Sequence, residues 1–169
     1  GKVGEGGKWV CGLSYLQSSF GPDEPCIIYS FGVNDDISFE IELLLKTDCE
    51  IFAFDPTIGQ LPIHNHLKAG SSDVVCGIQP GEEMTVAELK QRLHFEKIAL
   101  SDVTGSNAQF LWSETLYDIM RRRRHSFIHL LKVDIESSEW RIFSSLFSKS
   151  KEDDVSILPV GEILIELHY

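Results

Sequence analysis

The chain reads as an α/β domain of the Rossmann-like, doubly wound kind: a mostly parallel sheet covered on both faces by helices. Three observations lead there. Short apolar, β-rich runs recur along the 169 residues. The segments between them carry helical spacing rather than hairpin turns, the pattern of parallel strands joined by crossover helices. Four successive runs end in acidic or polar residues, at the strand ends where open parallel sheets bind ligands.

Cys26-Ile27-Ile28-Tyr29-Ser30-Phe31 is the first strand, ending in Gly32 and the polar turn Asn34-Asp35-Asp36. A helix follows from about Ser38 to Lys46, with Asp36 and Glu40 near its positive end. Glu50-Ile51-Phe52-Ala53-Phe54 is a second buried strand, stopped by Asp55-Pro56. Residues 57 to 84 read as a long loop, either functional or partly mobile by the usual length priors. Thr85 and Glu88 form a capping box that opens a helix to about Leu93.

Glu96-Lys97-Ile98-Ala99-Leu100 is the expected third strand, closed by Ser101-Asp102. Leu116, Ile119 and Met120 make one helical face, and Arg121 to Arg124 end that helix where cations suit its negative pole. Residues 130 to 136 form the expected fourth strand. Trp140, Phe143 and Phe147 are the expected buried stripe of the next helix. The fifth strand is expected at 163 to 169, apolar on both faces. The tryptophans Trp9, Trp112 and Trp140 are mostly core candidates, Trp140 through its place in the helical stripe with Phe143.

The charge balance narrows the partners. Acidic residues number 26 against 15 basic, a net charge of −11, and four of the basic residues are the single arginine run. Such a surface repels phosphate backbones, so no nucleic-acid footprint is expected. No apolar stretch approaches the ~20 residues of a membrane span. Compartment and oligomeric state stay open. Cys26 and Cys49 head apolar runs and read as small buried hydrophobes, while one disulfide involving Cys11 or Cys76 is an alternative.

A dinucleotide is the first ligand to weigh, because Asp55 follows Gly32 at about the 20-residue spacing of a ribose-binding acid. Pyrophosphate binding needs several glycines, so that bare backbone can approach the phosphates. Here Gly32 stands alone, with Asp35 and Asp36 where phosphate charge would fall. A cationic, phosphate-free nucleoside suits these residues better, and S-adenosylmethionine (SAM) is one.

Tyr29-Ser30-Phe31-Gly32-Val33-Asn34-Asp35-Asp36-Ile37-Ser38-Phe39-Glu40 resembles the first motif of class I SAM-dependent methyltransferases, and Phe52-Ala53-Phe54-Asp55-Pro56 their second. Leu131-Lys132-Val133-Asp134-Ile135-Glu136-Ser137-Ser138-Glu139-Trp140 is similar to the signature of FkbM-like methyltransferases, in particular their metazoan methyltransferase-like branch. Gly6 to Cys11 and Ile165 to His168 also match that branch, so the likeness runs over nearly the whole chain as one domain, 1–169. Ser137 stands where the family has Gly. The family fold also has seven strands with a final antiparallel hairpin, so the remainder is expected beyond Tyr169, or the chain is a truncated relative without activity.

The resemblance implies a set of roles. Ser30, Phe31, Gly32 and Asn34 wrap the methionine part of SAM, and Asp55 accepts from the ribose hydroxyls. Ser101 and Asp102 flank the adenine. Asp134 and Glu136, read as sharing one face of the fourth strand, face the transferred methyl group and a small-molecule or glycan-like hydroxyl acceptor. The rival functions are a catalytically inactive SAM-fold binding module and an NAD-linked oxidoreductase. His64-Asn65-His66 raises three readings side by side: surface histidines, an acceptor-pocket element, or a metal pair. No metal is expected.

Overall fold

The computed structural model describes residues 10–17, 20, 24–106, 112–135, 139–152 and 158–166. In chain order the elements are α1 (Leu13–Leu16), β1 (Ile27–Phe31), α2 (Ser38–Lys46), β2 (Glu50–Phe54), a 3-10 turn (Ile63–His66), β3 (Val74–Cys76) and β4 (Glu83–Thr85). They continue as α3 (Val86–Arg92), β5 (Leu93–Glu96), β6 (Ala99–Leu100), β7 (Ser113–Glu114), α4 (Leu116–Arg123), β8 (Ile128–Val133), α5 (Glu139–Glu152) and β9 (Val160–Ile165). The central sheet has five strands in the order β5-β2-β1-β8-β9, all parallel. This is the expected Rossmann-like α/β architecture.

Alternation along the inner strands sorts the core into two layers. Ile28, Ile51, Ala53 and Leu130 pack with Ile41 and Leu44 of α2 and Leu89 of α3. Tyr29, Phe31, Phe52, Phe54, Leu131 and Val133 pack on the other face with Leu116 and Ile119 of α4 and Ile142 and Leu146 of α5. Each fully buried Val, Leu, Ile or Phe among them contributes about 1.5–3 kcal/mol. A strand buried on both faces therefore has to be apolar at nearly every position, as β1 and β2 are.

The helix ends follow local chemistry. The Asp36 carboxylate accepts the Ser38 N–H at 2.8 Å where α2 begins. Arg92, the last residue of α3, donates to the carbonyls of Leu44, Thr47 and Cys49, so its cation sits at the negative end of α2. The Thr85–Glu88 capping box opens α3 as expected, and its hydrogen bonds hold the Glu88 carboxyl below its usual range. Thr115 caps α4 by accepting the Asp118 N–H at 3.2 Å.

Several expectations need correction. The third strand of the sheet is Leu93–Glu96, paired with β2, whereas Ala99–Leu100 forms a separate ribbon with Ser113–Glu114. Strand β8 ends at Val133 and β9 spans Val160–Ile165, each shifted toward the N-terminus from its expected range. Residues 57–84 are not a bare loop: they hold the 3-10 turn and the antiparallel pair β3–β4.

The buried stripe of α5 is Glu139, Ile142 and Leu146, while Trp140 is 64% exposed and Phe147 52%. Both stripes have helical spacing, and the docking angle chose the smaller side chains. Trp112 is also exposed, and Trp9 lies outside the described residues. The arginine run ends α4 as expected, but Arg122 and Arg123 reach Glu96 and Glu114, and Arg121 pairs with Asp118.

Cys26 and Cys49 are buried as expected, yet they are joined to each other, with Cα atoms 4.4 Å apart, while Cys11 and Cys76 are free. The bond ties the residues just before β1 and β2, where Glu50 N–H already donates to the Cys26 carbonyl. Cys49→Ala is expected to lower unfolding stability by about 2–4 kcal/mol, against about 0.5 kcal/mol or less for Cys11→Ser. Urea denaturation of the two variants reads the difference.

Candidate functional site

The chain runs outward from β1 to β2 and β5, then returns to the other side of β1 as β8 and β9. The crevice between the ends of β1 and β8 is therefore the topological switch point, where sheets of this kind bind ligands. There Asp134 N–H donates to the Phe31 carbonyl at 3.1 Å, and Gly32 N–H to the Phe54 carbonyl at 2.9 Å. Gly32 has φ +76°, and a Cβ on it would overlap the Asp134 carbonyl oxygen. Only glycine meets both demands.

The turn beyond Gly32 is held from the β2 side. Asp55, 3% exposed, accepts the Asn34 N–H at 2.8 Å through Oδ2, and the Thr57 N–H and hydroxyl at 2.7 and 2.6 Å through Oδ1. Asn34 itself is left-handed, with φ 44°. A carboxylate offers about four acceptor positions, so these bonds leave Asp55 one, on Oδ2.

A polar cluster lies beneath the glycine. Ser30 donates its hydroxyl to Glu40 Oε1 at 2.6 Å, and Lys132 reaches the same oxygen at 3.4 Å and the Gly32 carbonyl at 3.3 Å. Lys132 also lies over the Phe39 ring at 5.6 Å. Glu40 is wholly buried and Lys132 nearly so, and Glu40 Oε2 has no hydrogen-bond partner among the described residues. Burying this pair is costly, so its position directly under the turn marks the place as one where polar positioning outweighs packing.

The sequence reading did not single out Glu40 or Lys132 as parts of one cluster. A lysine inside the apolar run of β8 and an acid on the buried face of α2 were the available signal.

The expected site residues divide accordingly. Gly32, Asn34, Asp55 and Asp134 come together at the switch point. Ser30 is present but its hydroxyl is engaged by Glu40, and the Phe31 ring stacks on Phe54 in the core, so both would serve a ligand through backbone. Ser101 and Asp102 directly follow β6 and precede β7; the Ser101 hydroxyl donates to Asp102, and Asp102 Oδ1 lies 3.1 Å from Arg141 Nη2 of α5. Glu136 lies outside the described residues, as do Ser137 and His168. Strand β8 stops at Val133, so Asp134 follows the strand instead of lying on it as expected.

The histidine pair sits on the 3-10 turn. His64 is exposed, while His66 accepts the Ile37 N–H at 3.2 Å. Among the described residues no group of three His, Cys, Asp or Glu side chains is placed to hold a metal ion. No helix among them is long and apolar enough to cross a membrane.

The fold and this crevice define an open α/β protein of Rossmann-like form, with one glycine turn at its switch point. A family model described as a methyltransferase domain matches residues 1–66, which span β1, α2, β2 and the 3-10 turn, and supports a methyltransferase domain there. No curated protein and no solved structure matches the chain. Gly32, Asn34 and Asp55 fall inside the matched segment; Ser101, Asp102 and Asp134 fall outside it.

Gly32→Ala is expected to cost more than about 3 kcal/mol, because strain at positive φ adds to a backbone overlap. Gly70→Ala, also at positive φ but in open space, should cost only about 1 kcal/mol. Lys132→Met leaves the Glu40 carboxylate buried without its cation and should cost about 3–5 kcal/mol. Adding Glu40→Gln to Lys132→Met should recover much of that loss, and denaturant melts of the single and double variants test it.

Proposed function

We propose that the chain is a SAM-dependent methyltransferase of the FkbM-like kind, acting as a single domain on a hydroxyl of a small-molecule or glycan-like acceptor. The observation that carries this is the chemistry of the switch point. One glycine turn is closed by Asp55 and abuts Asp134, with no further glycines to admit a pyrophosphate. Carboxylates there repel phosphate and attract a sulfonium, so the residues present fit SAM better than NAD. The methyltransferase-domain match over residues 1–66 supports the same reading.

When bound, SAM supplies a methyl group made electrophilic by its sulfonium. The backbone of Ser30 to Asn34 would cradle the methionine portion, with Lys132 and Glu40 fixing the glycine turn from below. Asp55 would offer its remaining acceptor position to a ribose hydroxyl. Ser101 and Asp102 would flank the base. Methyl transfer needs the acceptor held in line and relieved of its proton; a positioned carboxylate typically contributes 10²–10⁴-fold, the role proposed for Asp134 and Glu136. A surface with 26 acidic against 15 basic residues favours an acceptor without phosphates.

Calorimetry with S-adenosylhomocysteine and NAD is the direct test, and the former should bind more tightly. Asp55→Ala should weaken it by about 10- to 100-fold, the scale of a hydrogen bond to a charged group. Tighter binding of NAD would refute the reading, and unchanged affinity in the variant would remove Asp55 from the site.

A further inference from the structure

The turn after Gly32 is clamped on its far side by a segment distant in sequence. Asn65 Nδ2 donates to the Asp35 carbonyl at 3.1 Å, and the Ile37 N–H donates to His66 Nε2 at 3.2 Å. Both clamping side chains belong to the 3-10 turn, itself anchored by the bridge of Leu67 to Val75 and by partly buried Leu61, Ile63 and Leu67. Ile37 is fully buried and precedes α2, and His66 is the partner that covers its N–H, so withdrawal of the ring would leave that amide without this bond and open to exchange with water. Asp55 on one side and the 3-10 turn on the other thus hold residues 34 to 37 in place.

The bond fixes the protonation state of the imidazole. A ring nitrogen that accepts a hydrogen bond carries no proton, so His66 must be neutral, with its proton on Nδ1. Protonation at Nε2 would replace an acceptor with a donor facing the Ile37 N–H. Asp36 Oδ1 lies 3.5 Å from the same nitrogen and now accepts the Ser38 N–H. An imidazolium would therefore lose Ile37 and compete for the carboxylate that starts α2.

We propose that His66 is a positioning residue whose neutral imidazole latches the turn after Gly32 against the start of α2, and whose protonation loosens the cofactor pocket. The pocket half of this statement rests on the SAM reading above; the latch itself does not.

The charges around His66 are Asp36 at the start of α2, Glu40 on its first turn, and His64 on the same 3-10 turn. Burial lowers the His66 pKa, Asp36 and Glu40 oppose that, and His64 adds to it, so the neutral form is favoured in the fold. The sign follows: a depressed folded-state value gives a contribution present above the unfolded histidine value and lost as pH falls through the folded one.

Two variants separate latch from bulk. His66→Gln keeps an acceptor that cannot be protonated; His66→Ala removes it. S-adenosylhomocysteine titrated by calorimetry into the full chain should bind about 5- to 10-fold more weakly at about pH 5.5 than at about pH 7.5. His66→Gln should flatten that dependence, and His66→Ala should bind weakly at both values. Independently of any ligand, the hydrogen-exchange protection factor of the Ile37 amide should fall in acid and in His66→Ala, and hold in His66→Gln.

A wild-type pH dependence retained by His66→Gln, or Ile37 protection unchanged in His66→Ala, would overturn the latch. Absence of S-adenosylhomocysteine binding by the unaltered chain at both pH values would overturn the pocket half, while Ile37 protection still decides the latch.

Discussion

The approach of the Gly32 backbone to the Asp134 carbonyl sets the geometry of everything at the carboxyl end of the sheet. Two parallel strands that are not consecutive in the chain meet there, and the chain must leave each of them in a different direction. Phe31 and Asp134 are joined by a backbone hydrogen bond, so the turn has no room to open sideways. It can only rise over the crevice, which puts Asn34 within reach of Asp55 and delivers Ile37 to the start of α2.

That constraint explains why polar groups gather under the turn although the layer is otherwise apolar. A carbonyl turned out of the β1 ladder at Gly32 needs a donor, and Lys132, opposite Ser30 in the neighbouring strand, provides one. The ammonium in turn needs a counter-charge, which Glu40 supplies, and Ser30 donates to that carboxylate. Such a group of partners costs more to bury than hydrocarbon of the same volume. What it contributes is direction: each polar atom accepts few arrangements of its neighbours, so the turn is held in one.

The surface charges are organised by the same economy of partners. Arg122 and Arg123 at the end of α4 are absorbed by Glu96 and Glu114, and Arg123 also lies over the Phe52 ring at 5.1 Å. They brace the β5 side of the sheet and leave the switch point acidic. On that same layer Tyr29 shares a hydrogen bond with His125, and burial pushes its phenol well above its ordinary value, so it stays neutral.

Much of this was legible in the residues because it is local. Two-residue alternation, runs buried on both faces, the Thr85–Glu88 box and the α2 boundaries are set by neighbours within a few positions, and the glycine turn with Asp55 is a short spacing pattern. Other features depend on partners far along the chain. The stripe of Trp140 and the stripe of Ile142 and Leu146 are both sound helical faces, and only the way α5 docks on the sheet decided between them.

Leu93–Glu96 became a strand because β2 offered it a free edge, and because Arg92 ended α3 on the carbonyls of α2. The Cys26–Cys49 bond and the reach of His66 to Ile37 likewise join segments that the sequence separates. Periodicity and short motifs determined the class of fold and the acidic character of its crevice. Tertiary structure decided which groups face one another there, because side-chain partnership depends on docking and register rather than on sequence spacing.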